Sequence, residues 1–75
     1  MSKLELGTKV RVKGSSTHHI KDGAECVVSH HPIIAELSKG LDATIVEGEI
    51  HDDMQKEYGL KTMLQLVPND QLEVI

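Results

Sequence analysis

The sequence lacks phenylalanine and tryptophan altogether, and its 75 residues include a single tyrosine, Tyr58. Proteins that bind single-stranded nucleic acid by base stacking use aromatic side chains as platforms, and grooves that bind polyproline peptides are lined with aromatic residues. One tyrosine cannot build either kind of site. The net charge of −4 also differs from the excess of positive charge that drives nonspecific binding to DNA. These absences exclude several common binding functions.

The chain also has only one cysteine, Cys26, and no long apolar run. A lone cysteine cannot form an intramolecular disulfide, which small secreted domains commonly use. We recognise no signal peptide, and no apolar segment approaches the roughly 20 residues that span a membrane. We therefore expect a cytoplasmic protein that has no membrane partner.

The length allows one small domain, residues 1–75. Apolar residues make up 39% of the chain, and 21 of these 29 residues are valine, isoleucine or leucine. This composition indicates a compact aliphatic core. A chain of this size buries only about 60% of its unfolded surface, so we expect marginal stability.

Alternation of polar and apolar residues predicts five strands. The predicted strands span residues 8–13, 24–29, 43–50, 60–67 and 72–75. Gly48 breaks the third strand, and in the fourth we expect Leu60, Leu64 and Leu66 to face inward.

The segment between the second and third predicted strands has a different period. Pro32 can occupy a first helical position, and Ile33, Ile34 and Leu37 lie on one face of a helix over residues 32–39. We expect this face to cover one end of the core; if it points outward instead, it forms an apolar interface patch. The polar segment that follows the third strand, residues 51–59, is predicted to end in a turn.

Five short strands with turn signals between them favour a small antiparallel barrel or sandwich. The end of the chain, Val-Pro-Asn-Asp-Gln at 67–71 followed by Leu-Glu-Val at 72–74, resembles the end of SH3-like barrels, where a 3₁₀ turn separates the last two strands. Residues 6–12 and 22–28 likewise resemble the first two strands of these barrels.

The chain thus resembles small SH3-like barrel domains such as the photosystem I stromal subunit, the variable subunit of ferredoxin–thioredoxin reductase and the KOW type of RNA- and ribosome-associated domain. The resemblance covers residues 6–29 and 60–75. It implies a mostly β, five-stranded, SH3-like antiparallel barrel with one short inserted helix at residues 32–39, and a docking module rather than a catalyst. The inserted helix is a departure from these domains, as is Cys26, where KOW-type domains favour glycine.

Histidines and the cysteine are the candidates for metal or thiol chemistry. The histidines are His18, His19, His30, His31 and His51. Cys26 and His30 share a strand face but lie about 13 Å apart, too far to bind one tetrahedral ion. A site would need a loop that brings His18 or His19 to His30 or His31. We expect exposed histidines, a buried structural Cys26, no metal or cofactor, and no enzymatic activity.

Two charged groups are candidates for partner binding. The predicted protein-binding residues are Glu47, Glu49, Asp52, Asp53 and Tyr58, which would meet a partner with a basic surface. The alternative is nucleic-acid binding by the stripe Lys9, Arg11 and Lys13. Both groups also have a plain interpretation, as solvated charges that pair with each other across the sheet for about 0–1 kcal/mol each.

The sequence therefore predicts a non-enzymatic protein-binding module, a small regulator or inhibitor that acts through an acidic surface as a monomer or weak homodimer. Chains this short, acidic and poor in aromatic residues also occur among small phage-encoded regulators of host proteins. The alternative is an RNA- or ribosome-associated KOW-like domain.

Overall fold

The computed structural model describes residues 4–14 and 19–75. In chain order the elements are β1 (Lys9–Val12), β2 (Glu25–Val28), α1 (Pro32–Leu37), β3 (Ala43–Glu49), α2 (Asp52–Tyr58), β4 (Thr62–Pro68), a 3₁₀ turn (Asn69–Gln71) and β5 (Leu72–Val74). The strands form one antiparallel sheet in the order β4-β3-β2-β1-β5. The prediction of a mostly β protein with five antiparallel strands is confirmed.

The sheet is open. In residues 4–14 and 19–75 no ladder joins β4 to β5, so these two strands are its edges. The predicted closed barrel is therefore not confirmed, although the 3₁₀ turn lies between the last two strands, where the resemblance places it.

One face of the sheet carries the core. The side chains of β1 and β2 alternate strictly between exposed and buried, as the sequence pattern predicts. The buried residues that pack as one core are Val10, Val12, Ile20, Cys26, Val28, Val46 and Val67. Ile45 and Ile50 are buried as well, and Ile45 lies on the other face of β3 from Val46. The described core contains no aromatic side chain, in agreement with the expected aliphatic core.

Gly48 does not break β3, and the prediction of a break there is wrong. Gly48 lies directly opposite Cys26 in the antiparallel ladder between β2 and β3. A Cβ atom at Gly48 would lie 2.2 Å from the Cys26 Sγ atom, so only glycine leaves room for the thiol. The glycine is therefore a packing feature of the strand, because it accommodates a larger side chain on its neighbour.

The inward face of β4 also differs from the prediction. Its register pairs Thr44 with Val67 and Val46 with Gln65, so Val67 points into the core. Leu64 and Leu66 consequently lie on the opposite, outer face, where both are only half-buried. Both the odd-numbered and the even-numbered positions of this segment carry apolar residues, so only the pairing with β3 decides which face is buried.

Helix α1 confirms the predicted helix, two residues shorter than expected. His31 caps its N-terminus, where the Ile34 N–H donates to the His31 Nδ1 atom at 3.5 Å, and Pro32 occupies the first turn. None of its residues is buried. Ile33 and Leu37 are 66% and 79% exposed, so the expectation that they cover the core is wrong.

Helix α2 lies in the polar segment 51–59, for which the sequence pattern predicts only a turn at the end. Asp52 and Asp53 lie in its first turn and Lys56 in its last, which matches the helix dipole. Gly59 ends the helix with a φ of 68°, in the left-handed region that favours glycine. Among the described helices, none is long and apolar enough to cross a membrane.

Candidate functional site

The acidic residues at the end of β3 are bound to a lysine of their own chain. Lys21 Nζ lies 3.2 Å from Glu49 Oε2 and 2.9 Å from Asp52 Oδ1. Gln55 Nε2 donates to the same Glu49 oxygen at 3.2 Å and to the Ile50 carbonyl at 2.8 Å. This cluster joins the loop before β2 to the end of β3 and the start of α2.

The pKa values of the cluster follow from these contacts. Hydrogen bonds from Gln55 and Lys21 lower the pKa of Glu49, and the hydrogen bond from Lys21 lowers the pKa of Asp52. Hydrogen bonds to Asp52 and then Glu49 raise the pKa of Lys21. All three groups are therefore held in their charged forms, and the positive charge of Lys21 offsets much of the negative charge predicted to attract a basic partner.

The other predicted protein-binding residues are exposed but do not form one acidic face. Glu47 lies on the outer face of the sheet between Val27 of β2 and Leu64 of β4, its cross-strand partners. Asp53 is exposed in the first turn of α2, and Tyr58, at the end of that helix, is 49% exposed. Lys21 thus brings Glu49 and Asp52 together. The ion pairs of Lys21 do not include Glu47 or Asp53, and Tyr58 lies at the far end of α2.

The basic stripe lies on the outer face of β1. Lys9 and Arg11 point outward from the strand, and exposed Lys13 follows its end. Arg11 lies between Glu25 on β2 and Glu73 on β5, and its Nη2 atom is 3.8 Å from Glu25 Oε1. Carboxylates thus flank the middle of the stripe on both sides, and the acidic residues of β3 do not pair with it because β2 lies between.

The histidines have local structural contacts or lie at the surface. His31 caps α1, His30 is exposed, and the backbone N–H of His51 donates to the His19 carbonyl at 3.2 Å. His18 lies outside the described residues. Within the described ranges, no group of three or more histidine, cysteine, aspartate or glutamate side chains could hold a metal ion.

Cys26 is a core residue. Its side chain is 2% exposed, faces Gly48, and its Sγ donates to the Ala24 carbonyl at 3.7 Å. Burial raises the pKa of the thiol to about 11, so the reactive thiolate is scarce at neutral pH. The environment is that of a packing residue and not of a nucleophile.

Apolar side chains are exposed at α1 and in the loop that follows it. Ile33 and Leu37 are one helical turn apart and share a face, and Leu41, in the following loop, is 60% exposed. Leu41 also lines an open groove of about 720 Å³, to which α1 contributes Ala35 rather than Ile33 and Leu37. Apolar residues along it include Leu4, Leu6, Ala35, Leu41, Leu72 and Val74.

The α1 surface and the acidic cluster lie at opposite ends of one strand. Helix α1 and its loop precede the start of β3 at Ala43, whereas α2 follows the end of β3 at Glu49. Seven strand residues at about 3.3 Å each separate the two regions by roughly 20 Å. The expected combination of an acidic contact with apolar edges near the helix is therefore not one continuous surface.

Comparison of the chain with known proteins finds no matching family model, no matching curated protein and no matching solved structure.

Proposed function

We propose that the chain is a non-enzymatic protein-binding module, a small regulator or inhibitor, whose contact surface is the apolar region around α1. The observation that carries the proposal is that α1 buries none of its residues while Ile33 and Leu37 stand in solvent. Large apolar side chains that a fold leaves exposed next to each other are typical of interaction sites. The partner that fits it is a protein with an apolar groove that receives one helix face.

The energetics of α1 support this proposal. A six-residue helix is far too short to be stable by itself in water, and this one gains no core burial from the chain. Burial of an isoleucine or leucine side chain contributes about 1.5–3 kcal/mol. Burial of Ile33 and Leu37 against a partner would add to the partial burial that Ile34 and Ala35 have in the free protein.

The fold and location that go with this function are also part of the proposal. The linear strand order and the 3₁₀ turn before β5 support an SH3-like arrangement, in which the two halves of the sheet curve toward each other. The single cysteine, buried and unpaired, suits the cytoplasm. The high pKa of Cys26 supports a binding role over thiol catalysis.

Glu47, Asp53 and Tyr58 remain predicted contacts for a basic partner surface, because all three side chains are exposed. Glu49 and Asp52 are weaker candidates, since Lys21 already binds both. A partner that used these residues would bind the end of β3 away from α1.

Affinity capture from lysate of the native cell, with identification by mass spectrometry, tests the proposal when it is run with matched variants. The double variant Ile33→Ser with Leu37→Ser removes the exposed apolar face and leaves the core intact. The matched variant Glu47→Lys with Asp53→Lys changes exposed acids at the other end of β3. We expect the α1 variant to lose a partner that the acidic variant retains.

Two results would contradict the proposed surface. Retention of the partner by the α1 variant together with its loss from the acidic variant would assign binding to the acidic residues. Loss of all captured material after nuclease treatment, or after Lys9→Glu with Arg11→Glu, would instead favour the RNA-associated alternative. Circular dichroism of each variant controls for unfolding.

A further inference from the structure

Strand β4 forms a long edge of the sheet in the described residues. It spans seven residues, Thr62–Pro68, and within residues 4–14 and 19–75 only β3 pairs with it. The opposite edge, β5, has three residues. Natural sheets protect their edges by shortness, proline, bulges or charged side chains, because unpaired backbone groups bind other strands. The short β5 follows this rule, whereas β4 is long and uncharged and has a proline only at its last residue.

Backbone hydrogen bonds at both ends of the ladder show which groups of β4 are unused. The Ile50 N–H donates to the Lys61 carbonyl at 3.1 Å, and the Asn69 N–H donates to the Asp42 carbonyl at 3.0 Å. Hydrogen-bonded positions alternate along an antiparallel pair. The odd-numbered residues of β4 therefore bond to β3, and the even-numbered ones direct their N–H and C=O groups away from the sheet. The outward set is Thr62, Leu64 and Leu66, with the carbonyl of Pro68.

The side chains of this edge are uncharged. No residue of Thr62–Pro68 carries a charge, while Lys61 precedes the strand and Asp70 follows it. The edge is thus neutral in the middle, basic at its start and acidic at its end. An identical strand laid antiparallel brings each basic end to an acidic end, whereas a parallel one brings like charges together.

We propose that β4 pairs with β4 of a second copy of this chain, in an antiparallel, two-fold symmetric dimer that joins two sheets into one of ten strands. In the register centred on Leu64, Thr62 of one copy faces Leu66 of the other. Every outward N–H of these three residues then donates to a carbonyl of the second copy, six hydrogen bonds by the alternation rule. Pro68, which has no N–H, ends the pairing at each side.

The symmetric register also places an apolar contact on the outer face of the joined sheet. Leu64, half-buried in one chain, lies against its own counterpart across the two-fold axis. Its neighbour within the chain is Glu47 of β3. The pairing is closed, since each copy uses its single β4 edge, so the product is a dimer and not a filament.

Sedimentation equilibrium of the purified full-length chain tests the dimer. The mass is expected to rise with concentration from 8.3 kDa to twice that value and no further. Leu64→Lys is the edge variant: within one chain the new lysine lies across from Glu47, but in the dimer two lysines meet at the axis. We expect its dissociation constant to increase at least about tenfold.

Val27→Lys is the matched control. Val27 is exposed on the same outer face and is also a cross-strand partner of Glu47, but it lies on β2, two strands from the edge. This variant is expected to dimerise as the unchanged chain does. Equal dimerisation of Leu64→Lys and Val27→Lys would overturn the proposal, as would a monomer at every concentration or growth beyond a dimer.

Amide hydrogen exchange of the unchanged chain provides a measurement that does not depend on the folding of a variant. The N–H groups of Leu64 and Leu66 are expected to exchange more slowly as the protein concentration rises, while that of Val74, which points outward at the β5 edge, does not change. Concentration-dependent protection of Val74 would instead indicate pairing of β4 with β5, and concentration-independent exchange at Leu64 would exclude edge pairing. Either result would overturn the proposal.

Discussion

Substitution of Gly48 by alanine is the sharpest test of how the two central strands pack. The alanine Cβ would lie 2.2 Å from Cys26 Sγ and 3.2 Å from Cys26 Cβ. The first distance is far inside van der Waals contact, so the thiol has to leave its position. Because Cys26 is 2% exposed, it can move only against other core side chains.

The expected cost follows from overpacking. Forcing an extra methyl group into a packed core destabilises a protein by about 1–3 kcal/mol. The loss of glycine's backbone entropy works in the other direction by roughly 0.5–1 kcal/mol. We therefore expect Gly48→Ala to lower the free energy of unfolding by about 1–2 kcal/mol. A chain of this length has on the order of 4–11 kcal/mol in total, so the change is readily measured.

Urea unfolding followed by circular dichroism provides the measurement, and the double variant provides the control. Cys26→Ala alone removes the sulfur and is expected to cost about 1 kcal/mol through lost burial. In the double variant Gly48→Ala with Cys26→Ala, the new methyl group occupies space that the sulfur has left. Its free energy of unfolding should therefore be about 1–3 kcal/mol higher than the value expected if the effects of the two single substitutions added. Additive effects, or an unchanged midpoint for Gly48→Ala, would refute the packing argument.

Three further predictions concern charge, the thiol and a turn. The lowered pKa values of Glu49 and Asp52 stabilise the fold above about pH 4, and this contribution is lost as the pH falls through the pKa values of the folded state. The melting temperature of Lys21→Met should therefore fall less steeply with acid than that of the unchanged chain. An equally steep fall would show that Lys21 does not stabilise these carboxylates. With a pKa raised to about 11, Cys26 should react with iodoacetamide at neutral pH only after denaturation, and rapid labelling of the folded chain would refute its burial. Asn69 hydrogen-bonds Thr44 and, at 2.7 Å, Asp42, so Asn69→Ala should cost about 1 kcal/mol in urea unfolding; no change would show that these bonds contribute nothing.

Helix α2 shows what a fuller use of local signals would have found. Asp52 and Asp53 at its start, Lys56 near its end and Gly59 as its C-terminal cap are all visible in the sequence. The segment is polar and lacks the apolar stripe from which amphipathic helices are predicted. Helix α2 buries no residue, so the hydrophobic periodicity used to find helices was absent while the capping and charge signals were present.

The candidate sites depended more strongly on contacts between distant residues. Lys21 binds Glu49 and Asp52 from about 30 positions earlier in the chain, and no local pattern indicates that partnership. The sequence pattern of Ile33 and Leu37 wrongly predicts that they cover the core, because an amphipathic stripe looks the same whether it covers a core or faces solvent. The position of β4 at an edge of the described sheet follows only from the order of its strands.

The sequence by itself determined the local elements: β-branched alternation in β1 and β2, the proline-initiated helix α1, and an aliphatic core without aromatic residues. These are properties of a few neighbouring residues, which fix backbone conformation and side-chain parity. Only the pairing of the strands settles which face of β4 is buried and why Gly48 belongs in a strand. Each of these depends on the register between strands, because a shift of one residue exchanges the two faces of a strand.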